Sequence, residues 1–154
     1  MARAVAPDDP IARIVQEMVP PKVSGSTYLL PCVVKVALTA QATPTNGGTF
    51  SVQNPFEVAA LVALVIDKTT ASTGVATIDA GVVANATNAG DNLIDGKSLQ
   101  TVEVIQSFND GGTNGKAWRK VDAKGGANDF VTGTASADSS GLAGSAYLIF
   151  VPVS

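Results

Sequence analysis

The chain has 154 residues and a net charge of −3, which fits one domain that can bury roughly two-thirds of its unfolded surface. An acidic chain lacks the basic face that releases counterions from phosphate, so composition argues against a nucleic-acid partner. Hydrophobic residues make up 45% of the chain and aromatic residues only 5%, which predicts an aliphatic core and favours β-structure.

Residues 1–25 predict an N-terminal arm that carries one short amphipathic helix. Asp9 suits the N-cap and Pro10 the first helical position, and Pro20 ends the helix. A helix of about nine residues is unstable alone in water, so its apolar stripe must pack on a surface, either of the same domain or of another chain. The stripe has helical spacing, and its residues are the predicted partner-binding residues of the arm: Ile11, Ile14, Val15 and Met18.

Residues 26–154 predict a single all-β domain. Segments rich in Val, Ile, Thr or aromatic residues and bounded by turn residues predict eight strands, at 27–39, 48–53, 57–67, 74–84, 99–107, 116–122, 128–134 and 143–151. Asn-Gly, Asp-Gly and Gly-Gly pairs between them supply the positive φ angles of tight turns. We therefore expect an antiparallel β-sandwich or jelly roll with an extended N-terminal arm.

The segments 58–66 and 75–83 predict the two arms of a hairpin around 67–74. Within the first arm, residues 61–66 are all apolar, which is typical of a strand covered on both faces. A partner subunit would supply the second cover. The alternative is a central strand whose alanine faces solvent, because single exposed apolar residues are common.

Few residues could perform chemistry. The chain contains no histidine, which removes Ser-His-Asp catalysis and imidazole metal sites. Its single cysteine, Cys32, lies in an apolar run and is predicted to be a small buried hydrophobe, and one cysteine leaves no structural zinc site. There are only three glutamates, and most aspartates lie in or beside predicted turns. We expect neither an enzyme nor a bound cofactor.

The segment 110–118, DGGTNGKAW, superficially resembles a phosphate-binding loop. A Walker motif requires Gly where this chain has Asp110 and Ser or Thr where it has Ala117. We therefore interpret the segment as a glycine-rich turn.

The segment 116–120, KAWRK, mixes three cations with the one tryptophan. In a strand, Lys116, Trp118 and Lys120 would share one face. That face would form either a patch for an anionic or stacking partner or an edge strand protected by lysines.

A polar loop at 85–96 brings together Asp91, Asn92 and Asp95. Oxygen ligands of this type suit calcium, but the ordered spacing and the bidentate glutamate of an EF-hand are missing. Calcium binding is therefore an open alternative to a simple polar loop.

The sequence predicts neither export nor membrane insertion. The first ten residues contain no apolar block of the kind a secretory signal requires. The longest apolar run, 56–66, includes Glu57 and is far shorter than the roughly twenty residues of a membrane helix. We expect a protein made in the cytoplasm, without a membrane partner.

Five short phrases follow one another in the later part of the chain: TASTG at 70–74, IDAGV at 78–82, DNLIDG at 91–96, GTNGK at 112–116 and SGLAGSAY at 140–147. Each phrase alone is a generic turn or strand, so a resemblance to other proteins rests on the order of the five phrases. In this order the chain resembles the head-decoration (cement) or capsid-fibre proteins of tailed bacteriophages over a little more than half its length. Residues 1–55 match no motif of that family.

The resemblance implies a structural virion protein on the outer capsid surface, made in the host cytoplasm. It implies a β-sandwich that binds the major capsid protein, commonly as a homotrimer, and stabilises the lattice by clamping neighbouring subunits, with the arm reaching across the lattice or the trimer. Two other classes share many of these features. One is a tail or baseplate component of a virion; the other is a carbohydrate-binding β-sandwich module, for which one Trp and two Tyr form a poor sugar platform.

Overall fold

The computed structural model describes residues 30–153, in which nine strands form two antiparallel sheets. The N-terminal arm lies outside the described residues, and so do the predicted helix and its stripe residues Ile11, Ile14, Val15 and Met18. The strands are β1 (Cys32–Ala37), β2 (Phe50–Gln53), β3 (Ala60–Thr70), β4 (Thr77–Val83), β5 (Ile94–Ser98), β6 (Val104–Gln106), β7 (Arg119–Val121), β8 (Phe130–Ala135) and β9 (Ala143–Pro152). A single helical turn, α1 (Ser107–Asp110), follows β6.

The two sheets pack face to face as a sandwich, which confirms the predicted fold class. The first sheet has the order β1-β9-β3, and both β6 and β7 pair with the remaining edge of β3. The second sheet has the order β2-β8-β4-β5. The longest ladder joins β3 to β9, from the pair Ala60 and Pro152 to the pair Thr70 and Ala143. These two long strands therefore form the centre of the first sheet.

The core lies between the sheets because alternate residues of each strand point inward. From the first sheet it receives Val62, Leu64, Ile66, Leu148 and Phe150, and from the second Ile78, Ala80 and Val131, all without exposed surface. Burial of each large aliphatic side chain contributes roughly 1.5–3 kcal/mol. The low aromatic content is thus consistent with a core of closely packed branched residues.

The predicted hairpin between β3 and β4 is wrong. β3 pairs with β9, β6 and β7 in the first sheet, whereas β4 pairs with β8 and β5 in the second. Both strands contribute side chains to the same core, but no backbone ladder joins them. Residues 71–76 therefore cross from one sheet to the other.

The strand β5 was not among the eight predicted strands, because its Asp95-Gly96 pair has the composition of a turn. In the structure Gly96 has a φ of +66° within the strand. The register with β4 shifts there, from Ile78 opposite Lys97 to Ala80 opposite Ile94. The positive φ thus serves a bulge inside a ladder, which is the other common use of such a glycine.

Candidate interaction surfaces

The chain's own 84–93 loop packs on part of the outer face of the second sheet. Thr132, which has no exposed surface, donates its hydroxyl to the Asn88 carbonyl oxygen at 2.7 Å. The side chain of Asn92 accepts a hydrogen bond from Val82 N at 2.9 Å and donates one to Val82 O at 3.1 Å, as a neighbouring strand would. Gly81 permits this approach, since a Cβ there would lie 2.9 Å from the nitrogen of Asn92.

The first sheet has an apolar outer face. Its residues alternate with the core residues of β1, β3 and β9, and the register places Val33 beside Ile149 and Ile149 beside Ala63. Val33 is 60% exposed and Leu61 38% exposed. We use the name outer face for the six large side chains on this side: Val33, Leu61, Val65, Tyr147, Ile149 and Val151.

Charged residues lie only around the rim of the outer face among its described neighbours. Lys35 Nζ lies 5.6 Å from the centre of the Tyr147 ring, a cation–π arrangement at the β1 edge. In the strand register, Lys120 of β7 lies opposite Leu61 of β3, and Asp67 of β3 lies opposite Ser145 of β9. An apolar centre with a polar rim is the general composition of a protein contact surface.

The alternative of a partner subunit as the second cover of residues 61–66 stays a prediction, whereas the alternative that Ala63 faces solvent is wrong. This residue is fully buried although it is on the outer side of β3, so it does not face solvent. Its neighbours Leu61 and Val65 retain exposed surface. The centre of the strand's second side is therefore buried, and its flanks are accessible.

A second surface, which we call the open edge, follows β6, α1 and β7. Ser107 occupies the gap between the two short strands on β3. Its Oγ accepts a hydrogen bond from Leu64 N at 3.1 Å and donates one to Ala117 O at 2.9 Å. Four large hydrophobic residues of this segment are exposed: Val102, Val104, Phe108 and Trp118.

The open edge includes the segment 116–120, KAWRK, which was predicted to form either a binding patch or an edge strand protected by lysines. β7 comprises only Arg119–Val121 and is an edge strand, so the predicted strand face of Lys116, Trp118 and Lys120 does not form. The backbone nitrogen of Lys116 instead bonds to the Asn92 carbonyl oxygen at 3.1 Å, within a loop. Three exposed cations nevertheless accompany the exposed Trp118: Lys116, Arg119 and Lys120.

The phrases that carry the phage resemblance meet in space as two loop clusters. In the first cluster, 70–74 contacts 138–141: Thr73 N and Oγ1 both donate to the Ser140 carbonyl oxygen, at 2.8 and 2.9 Å. In the second cluster, 91–96 contacts 111–116: Asp95 N donates to the Gly111 carbonyl oxygen at 2.8 Å. The IDAGV phrase lies within β4 and is followed by the 84–93 loop. The shared residues therefore build the framework of the sandwich.

The second cluster uses its oxygen and amide groups internally. Asn114 N donates to Asp95 Oδ2 at 3.0 Å, and Asn114 Nδ2 donates to Asp91 Oδ2 at 3.1 Å. The side-chain amide of Asn92 forms hydrogen bonds with the backbone of Val82. Within residues 30–153, no group of three or more His, Cys, Asp or Glu side chains could hold a metal ion. Asp91 and Asp95 thus both bond to Asn114 and Asn92 bonds to Val82, so all three side chains support the loop.

The same contacts identify the segment 110–118 as a turn. Gly112 has a φ of +81° and approaches the Asp95 backbone. The backbone nitrogen of Asn114 already bonds to a carboxylate, which would repel a phosphate. The glycine-rich segment is therefore a turn, as predicted, and not an anion cradle.

Three carboxyl groups in the described chain have a lowered pKa, each through local hydrogen bonds. The Thr101 hydroxyl and then Lys68 lower the pKa of Glu103. The Gln53 amide lowers the pKa of Asp129, and the Ser140 hydroxyl lowers that of Asp138. Because each carboxylate accepts hydrogen bonds from nearby groups of the chain, these shifts indicate a structural role.

Two cavities accompany these loops, and both are open and small. One of about 270 Å³ is lined by Asp79, Ala89, Gly90 and Asp91. Another of about 220 Å³ is lined by Lys97, Ser98, Glu103, Val104, Ile105 and Asp110.

Cys32 is only half-buried, at the start of the edge strand β1, and so is less enclosed than predicted.

The fold and these surfaces define the class of the protein as an antiparallel β-sandwich with two exposed apolar surfaces. Comparison of the chain with protein-family models, with curated proteins and with solved structures yields no match. Within residues 30–153, no helix has the length and hydropathy needed to cross a membrane.

Proposed function

We propose that the protein is a structural component of a tailed-phage virion. It binds the outer surface of the capsid as a homotrimer and stabilises the lattice by clamping neighbouring major-capsid subunits. The observation that carries the proposal is the open edge, where Val102, Val104, Phe108 and Trp118 are exposed together along one side of the sandwich. Aromatic side chains of this kind are favoured at the centre of protein interfaces.

The charges beside the open edge favour a protein partner with an acidic rim. Lys116, Arg119 and Lys120 surround Trp118 in sequence and are all exposed. Complementary charges increase the rate and specificity of association more than its strength. The apolar residues would therefore contribute most of the affinity, and the cations would orient the partner.

The ordered resemblance supports the major capsid protein as that partner. The phrases from TASTG to SGLAGSAY resemble decoration proteins, and the described chain uses them as the framework of a sandwich. A clamp requires contact area and shape instead of reactive groups. A protein that binds only the assembled lattice stabilises it by mass action.

The decisive experiment is binding of the purified chain to isolated virion parts. We expect stoichiometric co-sedimentation with mature heads and none with tails. Binding to tails alone would replace the capsid assignment with a tail or baseplate role, and binding to neither would contradict the proposal.

A matched pair of variants assigns the contact to the open edge. The double variant Phe108→Ala with Trp118→Ala should weaken head binding at least tenfold, because aromatic anchors dominate interface energies. Val75→Ala alters a residue that is 79% exposed, lies before β4 and is not part of the open edge, so it should bind normally. Equal binding by both variants would remove the open edge from the model.

A further inference from the structure

We propose that the outer face of the first sheet is the docking surface for residues 10–18 of the same chain. The face is apolar at its centre, and the described residues leave Val33 and Leu61 exposed on it. The second sheet provides an internal comparison, since the chain's own 84–93 loop packs on part of its outer face. This inference is independent of the proposed capsid function.

The position of the N-terminal segment allows it to reach the face. β1 is an edge strand of the first sheet, and the chain enters it from the N-terminal side. Thirteen residues separate Met18 from Cys32, and an extended chain of that length spans up to about 45 Å. The distance from β1 across β9 to β3 is only about 10 Å at ordinary strand spacing.

The dimensions and chemistry of the two surfaces also agree. A helix over residues 10–18 would be about 13 Å long, and the stretch from Leu61 to Val65 along β3 is about 13 Å. The stripe of Ile11, Ile14, Val15 and Met18 contains no polar residue, and the centre of the face contains no charge. Packing the stripe on the face removes both from water.

Residues 19–31 connect the stripe to β1. This covalent connection favours docking of the chain's own stripe over docking of the stripe of another molecule. A covalent connection of this length gives a tethered segment an effective concentration in the millimolar range. A separate copy at micromolar concentration competes poorly with it. Docking also stabilises a helix that is too short to form alone.

Hydrogen exchange of the full-length free protein tests the proposal. Amide hydrogens of residues 11–18 should exchange at least tenfold more slowly than in an isolated peptide of residues 7–21. Ile14→Asp should abolish this protection, whereas Gln16→Asp should retain it, because Gln16 lies on the opposite side of the predicted helix. Exchange of residues 11–18 at the peptide rate in the unmodified chain would overturn the inference.

A second matched pair of variants tests whether the outer face is the docking surface. Val33→Asp places a charge on the outer face and should abolish protection of residues 11–18, whereas Val75→Asp should leave it unchanged. Both positions are exposed, so neither variant should unfold the domain, and unchanged protection of β9 amides checks this. Equal behaviour of the two variants would exclude the outer face as the docking surface.

Disulfide cross-linking distinguishes docking of the chain's own stripe from docking of the stripe of a neighbouring copy. In a Cys32→Ser background, Ile14→Cys and Ile149→Cys in one chain should form an intrachain disulfide, and Gln16→Cys with Ile149→Cys should not. Chains that carry the two cysteines separately should not cross-link when mixed. Efficient disulfides between mixed chains, or protection of residues 11–18 that arises only when capsids are added, would overturn the proposal in favour of a second copy or the capsid.

Discussion

Lys68 Nζ, on a side chain with no exposed surface, lies 3.2 Å from Glu103 Oε1, whose side chain is half exposed. The same ammonium donates to the Ser98 carbonyl oxygen at 2.7 Å. Lys68 belongs to β3 in the first sheet and Ser98 to β5 in the second. One buried lysine therefore links the two sheets.

We expect Lys68→Met to destabilise the domain by about 1–3 kcal/mol, because it keeps most of the buried methylenes but leaves the Ser98 carbonyl without this donor. Glu103→Gln should cost less, since the exposed carboxylate interacts partly through water. Denaturant unfolding of both variants measures the order. A larger effect for Glu103→Gln would show that the ion pair outweighs the bond to Ser98.

Acidification should destabilise the domain through its bonded carboxylates. The pKa values of Glu103 and Asp129 are lowered in the folded chain, mainly by Thr101 and Gln53 respectively. Their contribution is complete above the ordinary pKa values of 4.5 for Glu and 3.8 for Asp, and it is lost as the pH falls through the lower folded values. Thermal unfolding between pH 7 and pH 2 measures this, and Asp129→Asn should flatten the dependence below about pH 4. An unchanged slope in that variant would contradict the assignment.

Gly133→Ala should destabilise the sandwich by about 1–3 kcal/mol through overpacking. Gly133 pairs with Phe50 across β8 and β2, and a Cβ at Gly133 would overlap the Phe50 ring. Gly96→Ala is the comparison: its φ is +66° but nothing lies within 4 Å of the added atom, so only backbone strain of about 1 kcal/mol is expected. Chemical denaturation should rank Gly133→Ala as the more damaging change.

Asn92→Ala should release the 84–93 loop from the second sheet. The substitution removes the bonds to Val82 N and Val82 O, with an expected cost of about 1–3 kcal/mol. Hydrogen exchange should become faster at Val82 and in the loop, while β3 and β9 stay protected. Uniform acceleration throughout the domain would indicate global unfolding in place of loop release.

Capsids that carry the protein should resist heat better than bare capsids, because a ligand specific for the assembled state stabilises that state. The expected result is a higher disruption temperature for decorated heads in a thermal scan. Equal temperatures, with attachment demonstrated in parallel, would contradict the clamping role while leaving surface binding intact.

Local patterns were sufficient to identify most strands, because alternation of apolar and polar residues follows directly from strand geometry. The segments 128–134 and 143–151 closely predict β8 and β9, and the all-β sandwich follows from many short strands with turn residues between them. The missed strand β5 contains a single large apolar residue, Ile94, and an Asp-Gly pair. Its place in the sheet depends on pairing with β4, which its own composition does not encode.

The candidate surfaces were only partly predictable. The apolar run 61–66 left open whether the second side of the strand is covered, and the structure shows a buried Ala63 between the more accessible Leu61 and Val65. The sequence did not indicate that α1 separates β6 from β7 or that Ser107 fills the gap on β3, since these contacts join residues more than forty positions apart. Exposure of Phe108 and Trp118 likewise depends on which segments pack beside them.

The sequence by itself determined the β-class, the aliphatic core and the scarcity of groups that could react, because each depends on composition or on neighbouring residues. Tertiary structure alone decided that β3 and β4 belong to opposite sheets. A hairpin and a crossing between sheets use the same local turn chemistry, and they differ only in whether the strands share backbone hydrogen bonds or face each other through the core. That choice depends on the partners β8 and β9, which follow much later in the chain.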